Sequence, residues 1–180
     1  MKMSILFPAF IVYAALLSSI CLAAEPRKEP VLRVETTQHT ATIYRIASDG
    51  AGRFLATASE DKTVRIWDAA SGQLLRVIRP PIGGGNEGKL YTVAVSPDGS
   101  LVACGGWTKL GSDKGHTIYL FNRASGAMLR RFTDFTNTVN ELAFSPDGQQ
   151  LAVGLGGNQG VRVIRHTDGK ELFRDTDFGG

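Results

Sequence analysis

Short apolar runs separated by turn-forming residues make up most of the chain beyond residue 40. Valine, isoleucine, leucine and aromatic residues dominate these runs, which include residues 54–59, 63–68, 90–95, 101–104, 117–122, 151–154 and 161–165. Two separating stretches, 96–99 and 145–148, read Ser-Pro-Asp-Gly, a type I turn sequence in which proline presets the second residue. No stretch after residue 24 shows a helical period, so the pattern predicts strands joined by tight turns.

The runs recur in three similar units. Ala56, Ala103 and Ala152 hold the same place in successive units and lie 47 and 49 residues apart. A repeat of about 20–50 residues indicates an array or a closed ring of units. Each unit carries four runs. We therefore predict an all-β protein built from four-stranded antiparallel meanders at about residues 39–78, 90–132 and 139–175.

The first unit resembles the signature of the WD-repeat β-propeller family. His39 is followed by Ser59-Glu-Asp61 and then by Trp67-Asp, and the resemblance extends over residues 31 to about 175. It implies that the units are propeller blades, and that His39, Ser59, Asp61 and Trp67 join one hydrogen-bonded network inside the first blade. A buried indole N–H and a buried carboxylate both need partners, which agrees with a structural role. The alternative is catalytic, because a histidine and an aspartate near a serine also meet the needs of a hydrolase triad.

The second and third units depart from that signature. Phe121 and Ile164 take the place of Trp67 in these units. Units that lack the tryptophan in this way resemble the degenerate blades of bacterial WD-repeat proteins. Residues 87–91, 105–107 and 154–158 also resemble a bacterial subgroup that is sometimes joined to caspase-like peptidase domains.

The number of units raises a question of closure. Propellers have about 4–8 blades, whereas this chain carries three units, with residues 31–35 as a candidate strand for closing a further blade. The simplest interpretation is a segment of a longer propeller. The alternative is a short chain that closes by self-association, because an open row of blades exposes sheet edges.

The first 24 residues have the pattern of a secretory signal peptide. Lys2 precedes an uncharged apolar run, and Ala23 and Ala24 supply small residues for cleavage. Residues 25–30 would form a linker. We therefore expect an exported chain, periplasmic or secreted, with no membrane association beyond the signal segment. An uncleaved anchor helix and a lipid on Cys21 are the alternatives.

Composition and charge narrow the class of protein. The chain of 180 residues has 43% hydrophobic and 21% charged residues, which is typical of globular proteins. Its net charge of +3 is small and its arginines are spread along the strands, so we expect no nucleic-acid partner. Once the signal segment is removed Cys104 is the remaining cysteine, and no internal disulfide can form.

Motifs that suggest catalysis or a cofactor are incomplete. Residues 83–89 match the phosphate-loop spacing, but Leu90 replaces the required Ser or Thr, and a strand is predicted next. Cys104 loosely resembles a caspase nucleophile, but its segment aligns with the second strands of the other units. His39, His116 and His166 lie in different units without metal-ligand spacing. We therefore expect no enzyme activity, no cofactor and no metal in this chain.

Two long loops predict a binding function. The strands of a blade alternate in direction, so loops 80–89 and 106–115 share one side of the molecule, named here the loop face. They carry the candidate partner-binding residues Asn86, Glu87, Lys89, Trp107 and Lys109. An exposed tryptophan is a typical interface anchor; the alternative is that Trp107 only fills its own loop. We expect a non-enzymatic scaffold that binds a protein or peptide. The second hypothesis is the recognition part of a larger enzyme, such as a caspase-like peptidase, whose catalytic domain lies outside this chain.

Overall fold

Each strand of the protein pairs antiparallel with the next one along the chain, which produces three four-stranded sheets. The computed structural model describes residues 37–175, which fall within one compact unit, Glu35–Gly180. Blade one contains β1 (Ile43–Ser48), β2 (Phe54–Ser59), β3 (Val64–Asp68) and β4 (Leu74–Ile78). Blade two contains β5 (Lys89–Val95), β6 (Leu101–Trp107), β7 (His116–Asn122) and β8 (Met128–Phe135). Blade three contains β9 (Val139–Phe144), β10 (Gln150–Leu155), β11 (Val161–Arg165) and β12 (Glu171–Asp175).

The Ser-Pro-Asp-Gly sequences form the turns between the first two strands of blades two and three. In blade two, the Gly99 N–H donates to the Ser96 carbonyl at 2.8 Å, and Gly99 has a φ of 74°. Glycine adopts this left-handed conformation without the steric cost that a Cβ brings. The Asp98 carboxylate accepts hydrogen bonds from the Ser96 hydroxyl at 2.5 Å and from the Ser100 N–H at 3.0 Å. The polar residues Ser96 and Asp98 therefore close the turn through hydrogen bonds.

Two hydrophobic clusters join the blades face to face. The first packs Ala56 and Ile66 of blade one with Val102 and Phe121 of blade two. The second packs Ala103 of blade two, on the opposite face of that sheet, with residues of blade three. Successive side chains of a strand point to opposite faces. The middle blade therefore buries both faces of β5, β6 and β7, whereas its outer strand β8 is largely exposed. The first strands of the blades lie next to one another, with β5 between β1 and β9.

The outer face of blade one shows what packing contributes. Ile46, Val93 and Leu142 occupy the same place in the first strands, since they pair with Thr57, Cys104 and Val153 respectively. Val93 is 1% exposed and Leu142 is 3% exposed, whereas Ile46 is 59% exposed. The same residue position is thus core in blades two and three and surface in blade one.

The predicted fold class is confirmed: the described residues form all-β, four-stranded antiparallel blades. The predicted signal peptide (1–24), the linker (25–30) and the candidate closing strand (31–35) lie outside the described residues. Residues 37–175 contain no helix of the length and apolar character that a membrane crossing needs.

Candidate functional site

The predicted network of blade one is centred on His39. Its Nδ1 lies 2.7 Å from the Asp61 carboxylate, and its Nε2 lies 2.7 Å from the Thr57 hydroxyl oxygen. The same hydroxyl oxygen accepts the Trp67 indole N–H at 3.0 Å. With the imidazole proton on Nδ1, a single chain of hydrogen bonds runs from Trp67 through Thr57 and His39 to Asp61. The side chains of His39 and Asp61 are 2% and 5% exposed, so these groups depend on each other rather than on water.

Asp61 and Ser59 tie this network to the backbone. The Asp61 carboxylate accepts the N–H groups of Thr40 at 3.1 Å and Thr63 at 3.0 Å. Burial raises the pKa of Asp61, but hydrogen bonds from Thr63 and His39 outweigh burial and hold the pKa below its ordinary value. The Ser59 hydroxyl donates to the Ala41 carbonyl and accepts the Asp61 N–H, both at 3.1 Å. The structure therefore brings His39, Asp61 and Trp67 into one chain of bonds, while Ser59 supports the turn beside it.

Thr57 is the network residue that sequence reasoning missed. The family signature points to the serine two residues later, and both residues lie on β2. A polar residue in the middle of an apolar strand is the signal that could have identified Thr57, because a buried hydroxyl needs partners.

The two long loops of the loop face meet at the base of Trp107. The Gly88 N–H donates to the Trp107 carbonyl at 2.8 Å, and Lys89 opposes Trp107 in the β5–β6 ladder. The Trp107 ring stands edge-on to the His116 ring, with centroids 5.7 Å apart. Trp107 is 42% exposed. The Thr108 N–H donates to His116 Nδ1 at 3.0 Å. The backbone of Trp107 is therefore fixed while much of the indole faces solvent.

The remaining candidate residues surround this tryptophan to different degrees. Asn86 and Lys109 are exposed, and Glu87 is half-buried in the turn before β5. Lys89 lies 3.2 Å from the Glu60 carboxylate of blade one. The structure thus places Lys89 and Trp107 side by side, with Asn86 and Glu87 in the adjoining turn and Lys109 just beyond β6.

A tyrosine pair beside these residues was not foreseen. The rings of Tyr44 and Tyr91 lie with centroids 5.0 Å apart, and the Tyr44 hydroxyl donates to Glu60 at 3.1 Å. Both tyrosines sit where the strand register shifts, so each is left out of its ladder by a bulge. A bulge re-aims a side chain, and here the tyrosine pair lies beside the Lys89–Glu60 ion pair, between blades one and two.

The residues that suggested catalysis are placed in structural positions. Cys104 is 0% exposed on β6, and burial raises the pKa of its thiol. Lys89, at the end of the phosphate-loop spacing, begins strand β5. Within residues 37–175, no three His, Cys, Asp or Glu side chains are grouped so that they could share a metal ion.

A family profile matches most of the chain. The profile described as "WD40: WD domain, G-beta repeat" matches residues 31–68, 73–122 and 126–165. These matched segments make up more than half of the sequence and include strands of all three blades.

Named fungal proteins are similar to this chain. It is 30% identical over 138 residues to "Eukaryotic translation initiation factor 3 subunit I" of Coccidioides immitis, covering 73% of this chain and 37% of that protein. It is 28% identical over 109 residues to "Periodic tryptophan protein 2 homolog" of Schizosaccharomyces pombe, covering 60% of this chain and 11% of that protein. The chain thus spans well under half the length of these relatives.

Two solved structures share the fold. "Crystal structure of RRP9 WD40 repeats" aligns with a TM-score of 0.61 and 24% identity, covering 76% of this chain and 39% of that one. "Structure of U3-55K" aligns with a TM-score of 0.62 and 24% identity, covering 79% and 41%. These similarities concern the arrangement of the blades alone.

The expectation that the chain is exported, periplasmic or secreted, is wrong. The first-named relative is a eukaryotic translation initiation factor subunit, and translation initiation takes place inside the cell. The signal-like pattern of residues 1–24 lies outside the described residues, and these relatives give it no support. The relatives named above are fungal, and they lend no support to the bacterial, caspase-linked subgroup.

Proposed function

We propose that this chain is a non-enzymatic scaffold which binds a protein or peptide through the loop face. The premise is its family: the chain belongs to the WD40 family, described as WD domain, G-beta repeat. The observation that carries the proposal is Trp107, whose backbone is held by Gly88 and whose indole remains 42% exposed. A tryptophan in this state is already ordered, so a partner gains its contact area at a low cost in conformational entropy.

The surroundings of Trp107 support a protein or peptide partner. Lys109, two residues after Trp107, and Asn86, in the other loop, are exposed and offer a cation and an amide, and Tyr44 and Tyr91 add an aromatic pair between blades one and two. Aromatic residues with adaptable polar neighbours are the usual composition of protein interfaces. The Lys89–Glu60 ion pair neutralises the charge between these groups, which favours recognition by shape and stacking over recognition by charge.

The relatives support a role within an assembly. One of them is named as a subunit of a translation initiation factor, and that name describes a component of a larger complex. We extend to this chain the role of a component, with the loop face as its contact surface. Its catalytic inactivity is part of the same proposal, supported by the network of blade one, in which Asp61, His39 and Thr57 satisfy one another.

The test compares capture by the chain and by two variants. Proteins retained from a fungal cell extract by the immobilised chain are identified, and the strongest is purified and titrated against each variant. We expect Trp107→Ala to weaken binding by at least about 2 kcal/mol, with little change in melting temperature. Leu75→Ala serves as the matched control, because Leu75 lies on β4 and its exposure of 46% is close to the 42% of Trp107. This variant should bind the partner as the parent chain does.

The opposite pattern would remove Trp107 from the interface. If the melting temperature of Trp107→Ala falls strongly and capture only follows the folded fraction, the indole is a core residue of its own loop. Equal binding by Trp107→Ala and the parent chain would place the partner on another face.

A further inference from the structure

Three adjoining clefts line the seam between blades two and three, from the Ser-Pro-Asp-Gly turns to β8. The first, of about 420 Å³, lies between the Ser-Pro-Asp-Gly turns and includes Leu101 and His166. The second, of about 220 Å³, shares Leu101 and His166 with the first and also contains Leu129 and Arg130. The third, of about 290 Å³, shares Arg130 with the second and lies along β8. Neighbouring clefts share lining residues, and the three clefts together are named here the seam groove.

The equivalent seam between blades one and two is filled. The Arg123 guanidinium of blade two lies over the Phe54 ring of blade one, 3.6 Å from its centroid. Arg53 of blade one donates to the Asp98 carbonyl of blade two at 2.8 Å, and the Gly50 N–H donates to the Pro97 carbonyl at 3.0 Å. A stacked cation and these hydrogen bonds therefore close the first seam.

Two substitutions between the repeats account for the difference. Phe54 and Leu101 are equivalent, since each begins the second strand of its blade and pairs with the last residue of the third strand. Arg123 and His166 are likewise equivalent, because each directly follows the third strand. The shorter His166 turns its ring edge-on to Phe144 of its own blade, with centroids 6.1 Å apart. Leucine and histidine thus leave open the space that phenylalanine and arginine occupy in the first seam.

The two ends of the seam groove differ in charge. At one end Asp98 and Asp147 line the first cleft. The hydrogen bond from the Ser96 hydroxyl lowers the pKa of Asp98 to about 2, and the equivalent Ser145 bond lowers the pKa of Asp147, so both are ionised at neutral pH. Each carboxylate keeps acceptor capacity beyond the bonds within its own turn.

At the other end, Arg130, Arg131 and Arg162 line the third cleft. Asp168 and Glu171 also line this cleft: Asp168 pairs with Arg165 at 2.8 Å, and Glu171 pairs with Arg174 at 2.8 Å and lies 4.0 Å from Arg162 Nε. Arg131 pairs with Asp113 at 3.5 Å, which leaves Arg130 as the cation of this cleft for which no ion pair is seen in the described residues. The Arg162 Nε is buried without a hydrogen-bond partner, and burial, together with the charge of Arg174, lowers the pKa of Arg162. Glu171, at 4.0 Å, is too distant to accept a hydrogen bond from this Nε, and an anionic group placed here would supply that bond.

The middle of the groove is apolar. Leu101, Leu120 and Leu129 line the second cleft, and Leu129 is 53% exposed. An apolar site between an acidic end and a basic end matches an extended peptide far better than it matches a uniformly anionic nucleic acid strand.

We propose that the seam groove binds an extended peptide segment of a partner protein, with a basic side chain at the Asp98–Asp147 end, an aliphatic side chain over Leu129 and an acidic side chain at the Arg162 end. The lining residues of the seam groove do not include Trp107, and Arg131 at its basic end pairs with Asp113 of the loop face at 3.5 Å. The chain would therefore hold two partners, or two parts of one partner, side by side. The charge order of the peptide fixes its direction in the groove.

An array of capped peptides of about six extended residues tests the proposal with the full chain as probe. We expect enrichment of sequences that carry one basic, one aliphatic and one acidic residue in a single order, and loss of binding when that order is reversed. Enrichment of acidic peptides without the basic and aliphatic residues, or full competition by a single-stranded oligonucleotide, would overturn it.

A pair of variants assigns the binding to the seam. The double variant Leu101→Phe with His166→Arg rebuilds the closed seam. It should bind the selected peptide with an affinity lower by at least about tenfold. Arg130→Glu should weaken it to a similar extent, and Arg76→Glu, at the equivalent position of blade one, should not. Circular dichroism confirms that each variant is folded. Unchanged affinity in both the closed-seam variant and Arg130→Glu would contradict the proposal, whatever the outcome for Trp107.

Discussion

The carboxylate of Asp61 shows how much of blade one depends on a single residue. It binds the His39 imidazole at 2.7 Å and the backbone N–H of Thr63 at 3.0 Å, and His39 in turn binds Thr57. Removing one member leaves the others buried without partners, which costs more than the loss of an exposed bond. These bonds tie the turn that contains Asp61 to the neighbouring strand β2.

We predict that Asp61→Ala lowers the free energy of unfolding by about 1–3 kcal/mol. Thr57→Val should have an effect of the same order, because it removes the hydroxyl shared by Trp67 and His39. Urea unfolding followed by circular dichroism measures both. Unchanged stability of Asp61→Ala, together with loss of some measurable turnover, would make the residue catalytic and the structural role wrong.

Asp98 gives a prediction about pH. Hydrogen bonds from Ser96 and Ser100 hold its pKa at about 2, below the ordinary value of 3.8. A carboxyl whose pKa is lowered by folding contributes stability that is complete above its unfolded pKa and is lost as the pH falls through the folded pKa. Asp98→Asn should therefore flatten the loss of stability between pH 3.8 and about 2.

Unfolding midpoints measured across that window check the prediction. Ser96→Ala removes the strongest donor to the carboxylate and should raise the folded pKa of Asp98, so the loss of stability below pH 3.8 should be smaller and should end at a higher pH. An acid transition of Asp98→Asn that coincides with that of the parent chain would show that other carboxylates control it.

At the scale of elements, the contact between β5 and β6 positions the loop face. Gly106 lies so close to β5 that a Cβ there would stand 2.3 Å from the Lys89 carbonyl oxygen. We predict that Gly106→Ala separates the strands at Trp107 and costs about 1–3 kcal/mol of stability. Gly84→Ala, where a Cβ has nothing within 4 Å, is the matched control and should be nearly neutral.

Thermal unfolding and near-ultraviolet circular dichroism of Trp107 distinguish these outcomes. An equal melting temperature and an equal aromatic signal for both alanine variants would mean that β5 and β6 approach less closely at this point.

The elements were predictable from the sequence to different degrees. The run at 90–95 became β5 (Lys89–Val95), and the Ser-Pro-Asp-Gly turns formed as expected, because both depend on local preferences. The bulges that expose Tyr44 and Tyr91 depend on how two strands pair, and alternation along one strand carries no such information. Thr57 was missed for a related reason: its partners His39 and Trp67 come from neighbouring segments, so its role emerges only after the blade has formed.

At the scale of the whole molecule, neighbouring blades decide which apolar residues form the core. Ile46 and Val93 hold the same place in their strands, yet one is 59% exposed and the other 1%. Trp67 is half-buried for the same reason, because it lies near Ile46 beside an apolar cleft of about 210 Å³ on the outer face of blade one.

We predict that Ile46→Lys changes the free energy of unfolding by no more than about 0.5 kcal/mol, as is usual for surface positions. Val93→Lys places an unpaired charge in the seam between blades one and two and should destabilise the protein by more than about 3 kcal/mol. Chemical unfolding of the two variants measures the difference. Similar losses in both would show that the outer face of blade one is covered in solution.

Amide hydrogen exchange of the chain, measured with and without its captured partner, tests whether the loop face holds that partner. We expect added protection at residues 86–89 and 107–109, with little change in the turns at 96–99 and 145–148. Protection confined to those turns or to the outer strands β4, β8 and β12, with loops 80–89 and 106–115 unchanged, would contradict it.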